Sequence, residues 1–219
     1  MQVSTSKENI LKRIRKALTQ STPLPFPSSE GNSPLYVPAK QELEVEFAEQ
    51  FSKLLGKFVY CANNEELNKQ IAGLIVTNRW EKVFYRKEEL KNSLSFEFMQ
   101  QPSYDNLNTA DVSITTCEAL VARTGSIIMS SAQQSGRTTS VYAPVHLCIA
   151  YTNQLVYDVR DGLQLIREKY RARMPSLITF ATGPSRTADI EKTLVVGVHG
   201  PREVYVFLVE SPAEASTPD

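Results

Sequence analysis

Apolar positions change their period several times along the chain, and each change predicts an element. Over residues 7–18, Ile10, Leu11, Ile14, Ala17 and Leu18 fall on one helical stripe. Thr5 and Glu8 stand at capping-box spacing in front of it. Pro23, Pro25, Pro27, Pro34 and Pro38 follow among Ser, Gly and Asn. Each proline fixes φ and removes a backbone donor, which predicts a semi-extended linker. From residue 40, Leu43, Phe47, Phe51, Leu54 and Leu55 recur at helical spacing, Phe58–Ala62 reads as a strand, and Asn64 is expected to cap a helix carrying Leu67, Ile71, Leu74 and Ile75. Lys82–Arg86 predicts a strand, Glu88–Leu94 a brief helix, Ala110–Thr115 an extended run and Cys117–Ala122 a short helix. Strands are predicted at Ser126–Ser130, His146–Tyr151, Leu177–Ala181 and Val204–Val209, and helices at Tyr157–Tyr170 and Arg186–Val196, the last ended by Gly197.

Short apolar strands separated by amphipathic helices predict α/β architecture with a mostly parallel sheet. No long helix separates the strands around Ser126 and His146, so part of the sheet is expected to be antiparallel. The organisation predicted is an arm over residues 1–40, an α/β domain over 41–210 and an acidic tail over 211–219. A length of 219 residues suits one such domain with an arm to spare.

Charge narrows the function classes. The 24 Lys and Arg balance the 24 Asp and Glu, which argues against a nucleic-acid binder held by bulk charge. The arm is locally basic, with Lys7, Lys12, Arg13, Arg15 and Lys16 against Glu8. A helix of that kind packs on its own domain or a neighbouring subunit, lies on an anionic lipid surface, or docks on a partner protein. Charges interrupt every apolar stretch, so neither a secretory signal nor a transmembrane segment is expected. The three cysteines, Cys61, Cys117 and Cys148, form no C-x-x-C pair and no disulfide framework, which points to a cytoplasmic protein. With two histidines besides, the chain alone is not expected to hold a zinc finger or an iron–sulfur cluster. The G-x-G-x-x-G, P-loop, H-E-x-x-H and G-x-S-x-G patterns are absent.

Candidate chemistry collects in a few strings. Thr182-Gly183-Pro184-Ser185-Arg186-Thr187-Ala188-Asp189-Ile190-Glu191 runs from a strand into the predicted helix. A helix start exposes orphan N–H groups, so Ser185, Thr187 and the Arg186 guanidinium there predict a carboxylate or phosphate site. A capped helix with Arg186 tied to an acidic neighbour is the competing reading. Thr124-Gly125-Ser126 reads as a turn carrying hydroxyls or as part of a ligand site, and Arg137 lies in a polar loop that also serves as a plain connection. His146, at the head of an apolar strand, is a core residue or a catalyst. His199, in Gly197-Val198-His199-Gly200-Pro201, is equally open, and Glu118 is either a capping carboxylate or a general acid/base. Both histidines facing one pocket with Arg186 would permit acid/base chemistry.

These strings resemble the LUD-domain family, and within it the lactate-utilization C-type branch. The resemblance covers about residues 40–210. It rests on Gly183–Glu191, on Gly197–Pro201 and the apolar strand after it, and on Asp111–Thr116, Thr124–Ser126, Gly136-Arg137 and Pro144–His146 in the same order. Arg123 stands where an acidic residue is common, and Thr116 where a glycine is common. The resemblance implies a three-layer α/β fold of the NagB/RpiA/CoA-transferase type, shared with 5-formyltetrahydrofolate cyclo-ligase. It implies a role in oxidising L-lactate to pyruvate as an accessory subunit. Cysteine-rich oxidoreductase subunits, not this chain, would carry the iron–sulfur clusters. Gly183, Ser185, Arg186, Thr187, Asp189, Glu191, Gly197 and Gly200 carry over as motif positions without assigned roles. A stand-alone enzyme on an anionic small molecule and a metabolite-binding regulatory module are the alternatives, and any of the three is compatible with a homo-oligomer.

Overall fold

The computed structural model describes residues 39, 41–100, 103–188 and 194–211. The predicted N-terminal helix and linker, the loop over 189–193 and the tail from Pro212 lie outside the described residues. Six α-helices are described: α1 (Leu43–Lys53), α2 (Asn64–Asn78), α3 (Lys87–Leu90), α4 (Phe96–Gln100), α5 (Thr139–Tyr142) and α6 (Val159–Tyr170). The strands are β1 (Lys57–Cys61), β2 (Val83–Tyr85), β3 (Val112–Thr116), β4 (Ala119–Val121), β5 (Ser126–Ser130), β6 (Val145–Tyr151), β7 (Leu155–Val156), β8 (Ile178–Ala181), β9 (Arg186–Ala188), β10 (Leu194–Val196) and β11 (Glu203–Val209).

The class is mixed α/β with a mostly parallel central sheet, as the pattern predicts. That sheet runs β1-β11-β6-β3-β2, and all its pairings are parallel. β6 and β11 are near-continuous apolar runs, the composition of strands covered on both faces. One face meets Leu67 and Ile71 of α2, with Leu90 and Leu94 beyond. The other face carries Cys148, Ala150, Val204, Val206 and Leu208, which pack on Leu120, Ile127 and Met129 of a second sheet. The second sheet runs β7-β4-β5-β8, antiparallel except at β4–β7, and Ile166 of α6 packs against Ala119, Val121 and Ile128 on it. The strands around Ser126 and His146 therefore lie in different, stacked sheets. Phe47 and Phe51 of α1 complete the core between them.

Three local expectations are corrected. Asn63, one residue before Asn64, caps α2 by accepting from the Glu66 N–H at 2.9 Å. Cys117–Ala122 is not helical. Ala119–Val121 is a buried strand, and a 3-10 turn follows at Ala122–Thr124. Arg186–Val196 is not a helix either: β9 and β10 form an antiparallel pair with Arg186 opposite Val196 and Ala188 opposite Leu194. Leu194, Val195 and Val196 are consecutive, not three or four apart, and β-branched side chains suit a strand. No helix among the described residues is long and apolar enough to cross a membrane.

Candidate functional site

His146 is the one polar residue in the otherwise apolar, fully covered part of β6. In the ladder it stands opposite Val204 on one side and Ser113 on the other. It is 1% exposed, and its Nε2 lies 2.8 Å from Thr115 Oγ1. Its Nδ1 has no hydrogen-bond partner, and neither has Oγ of the buried Ser113 beside it. Burial pushes the imidazole down to about 4, so the ring is neutral at pH 7. Most buried polar atoms in native proteins are paired, which makes two adjacent exceptions informative.

A cavity of about 260 Å3 opens beside this ring. Met129, Phe180 and Val204 give it apolar walls, and Ser140, Ser185 and His199 bring polar groups to it. Gly183, Gly200 and Pro201 also line it. Two backbone bonds hold the two motif loops together: Ser185 N–H donates to Pro201 O at 2.9 Å, and Gly197 N–H donates to Ser185 O at 2.9 Å. The strings around Pro144, Gly183 and Gly197 thus converge on one hollow. His146, His199, Gly183, Ser185 and Gly200 all line it, and Arg186 does not.

Arg186 serves α1 instead. Its guanidinium donates to the Leu54 carbonyl, just past the end of that helix, where unpaired carbonyls favour a cation. With no helix beginning at Ser185, the polarised tip expected to hold an anion does not exist. Thr187 lies on β9, and Asp189 and Glu191 lie outside the described residues.

Thr124-Gly125-Ser126 also belongs to the seat of α1. Gly125 has φ +60°, and a Cβ there would stand 2.5 Å from the backbone nitrogen of Phe51. Gly183 repeats the device with φ +81° and a would-be Cβ 2.5 Å from Leu54 O. Thr124 Oγ1, Ser126 Oγ and Thr182 Oγ1 form a hydroxyl chain at 2.8 and 2.9 Å. Arg123, at the position of the family difference, pairs with Asp158 at 2.5 Å. Arg137 donates to Ser176 Oγ at 2.6 Å on the surface. Arg123, Thr124, Gly125, Ser126 and Arg137 form connections and supports, and they do not line the histidine cavity.

Glu118 sits at the other end of the sheet, in the link between β3 and β4. Its buried carboxylate accepts from Ser130 Oγ at 2.5 Å, Tyr170 OH at 2.7 Å and Lys169 Nζ at 2.7 Å. Burial pushes this carboxyl up, but the bonds from Lys169, Ser130 and Tyr170 outweigh it and hold the group below the usual carboxylate range. Lys169 and Tyr170 line a polar cleft of about 780 Å3 beyond the carboxyl ends of β3 and β6, together with Glu89, Thr116, Gln133 and Tyr151. Sequence reading missed most of this cleft, because its walls come from separate segments with no shared motif. Among the described residues no group of three His, Cys, Asp or Glu could hold a metal ion.

Comparison with known proteins places these features in a family. The LUD domain model matches residues 45–209. The chain is 36% identical over 108 residues to lactate utilization protein C of Deinococcus radiodurans, covering 49% of this chain and 50% of that protein. It is 35% identical over 102 residues to lactate utilization protein C of Bacillus subtilis, covering 46% of this chain and 42% of that protein. The match therefore spans about half the length of these curated relatives. A solved structure of a DUF162-family protein from Deinococcus radiodurans superposes with a TM-score of 0.59 at 21% identity, over 79% of this chain and 99% of that one. That likeness speaks for the fold alone.

Proposed function

The chain belongs to the LUD-domain family, and from that premise we propose that it works in lactate utilization, supporting the oxidation of L-lactate to pyruvate by iron–sulfur partner proteins. The observation that carries this reading is the 36% identity to lactate utilization protein C of Deinococcus radiodurans. The chemistry of the thiols supports an accessory role. Cys61, Cys117 and Cys148 are all buried and free. Burial pushes the Cys61 thiol up to about 11, and contact with Cys148 together with burial raises Cys117 well above its ordinary value. Iron–sulfur clusters are held by thiolates, the form that burial disfavours here, so these side chains suit packing and the cluster ligands are assigned to other subunits.

Deleting the gene in its host tests this function. The deletion strain should fail to grow on L-lactate and grow normally on pyruvate, and the tagged chain should co-purify with a cysteine-rich oxidoreductase subunit. Undiminished growth on L-lactate would remove the reading.

A further inference from the structure

The histidine cavity has a neighbour. Val141, His199 and Gly200 line it and also line an outer hollow of about 470 Å3 whose other walls include Tyr142, Gly197 and Arg202. Arg202 follows the second motif loop directly, and its backbone N–H is fixed to Pro144 O at 2.8 Å. Its side-chain stem lies over Gly197, where φ is +79° and a Cβ would meet Arg202 Cγ at 2.1 Å. The guanidinium is exposed and makes no ion pair among the described residues.

We propose that the two hollows together bind one small hydroxy- or oxo-monocarboxylate, its carboxylate outside on Arg202 and its hydroxyl or keto oxygen inside on His146. The inference deepens the lactate-utilization reading and rests on it for the choice of acid. The orientation follows from desolvation. A carboxylate drawn in beside His146 would meet Met129, Phe180, Val204 and a neutral imidazole, and no lysine or arginine lines the inner cavity to offset the lost water. Outside, a guanidinium offers the paired donors that fit a carboxylate. Inside, Nε2 is engaged by Thr115, so Nδ1 is the ring nitrogen left to meet a ligand. One neutral polar atom on the guest satisfies it, and the remaining carbon atoms meet Met129, Val204 and Phe180. A second carboxylate would fall on that apolar lining, so dicarboxylates should be rejected.

Calorimetric titration of the full chain tests this with L-lactate, pyruvate, propionate, succinate and inorganic phosphate. L-lactate and pyruvate should bind with Kd on the order of a millimolar or tighter, and propionate, which lacks the inner oxygen, roughly tenfold more weakly. Arg202→Gln, on the surface, should weaken lactate binding by roughly tenfold or more without altering the fold. Thr115→Val with His146→Leu should bring lactate down to the level of propionate, with the circular dichroism spectrum showing that the variant is folded. No detectable binding of either acid would overturn the proposal, as would unchanged affinity in Arg202→Gln or equal binding of succinate or phosphate. The two readings fail separately. A deletion strain that cannot use lactate, with a purified chain that binds no acid, sinks the site and keeps the function. Binding with normal growth on lactate does the reverse.

Discussion

The two ends of the parallel sheet treat buried polar groups in opposite ways. At the carboxyl end, Glu118 accepts three hydrogen bonds, and Glu89 accepts from the Thr116 N–H and hydroxyl and from the Ser135 N–H. Tyr151 OH reaches Asn64 and Ser93, and Gln133 bonds both Ser130 and Thr116. At the amino end, His146 Nδ1 and Ser113 Oγ are buried without partners, and His146 lines a cavity. Ligands of open α/β sheets usually sit beyond the carboxyl ends of the strands, which would favour the first region. Its polar groups, however, answer one another, as expected of a network that fixes structure. The amino end keeps hydrogen-bonding capacity that the protein itself does not use, as expected of a place that awaits a guest. Pairing inside the protein thus separates a structural polar cluster from a binding one better than polarity or cleft volume does.

The largest effect should come from breaking the satisfied end. Glu118→Ala strands two hydroxyls and removes the partner of Lys169, and should cost about 3 kcal/mol of unfolding free energy in a urea titration. Half of the Lys169 side chain is already in water, so the ammonium is not left buried. A loss below about 1 kcal/mol would show that the network behaves like an ordinary surface cluster, and the contrast would collapse.

Acid should separate the ends by pH window. His146 resists protonation in the folded chain down to about pH 4, whereas the unfolded chain takes up that proton near its ordinary value of about 6.5. The folded state is therefore at full advantage above about pH 6.5. It loses roughly 3 kcal/mol as pH falls toward the folded value. Glu118 acts lower down: its depressed carboxyl contributes stability above the unfolded carboxylate value of about 4.3, and that contribution is lost as pH falls through the folded one. Urea unfolding at a series of pH values should show both declines. A flat profile between pH 7 and 5 would mean that His146 is solvated and paired, against the geometry.

A smaller change is expected at Arg186. Arg186→Gln should cost about 1 kcal/mol, as the loss of a cation at a helix end, and should leave carboxylate binding unchanged. Lost binding with unaltered stability would restore the anion role that the string suggests.

That string shows where the sequence stops being legible. Strands covered on both faces announce themselves as unbroken apolar runs, so β6 and β11 were readable to within a residue or two. β9 and β10 were not. Ser, Thr, Asp and Glu ahead of Leu194 imitate a helix start, and only pairing across the hairpin decides for strand. Ala119–Val121 is too short for its period to distinguish helix from strand. At the candidate site, glycines and prolines marked the loops carrying Ser185 and His199, because close backbone approach leaves that trace. The partnership of His146 with Thr115 left none, since it comes from the register of two parallel strands 31 positions apart in sequence. Arg202 was missed for a similar reason: it becomes notable only once Gly197 is seen to carry its side chain.

The smallest expected effect is the sharpest test of the comparison. Thr115→Val with His146→Leu removes both members of the hydrogen bond that the buried imidazole makes and puts apolar groups in their place. Deleting one partner alone would leave a buried polar atom stranded, but replacing both together is often neutral. Here the exchange also removes an Nδ1 that already lacks a partner. Stability at pH 7 should therefore stay within about 1 kcal/mol of the parent, in contrast to Glu118→Ala. The decline between pH 6.5 and 4 should vanish in the same variant, because the group that titrates there is gone. A large loss at pH 7 would mean that the imidazole holds the fold together, and the distinction between a spare polar group at one end and a committed cluster at the other would no longer stand.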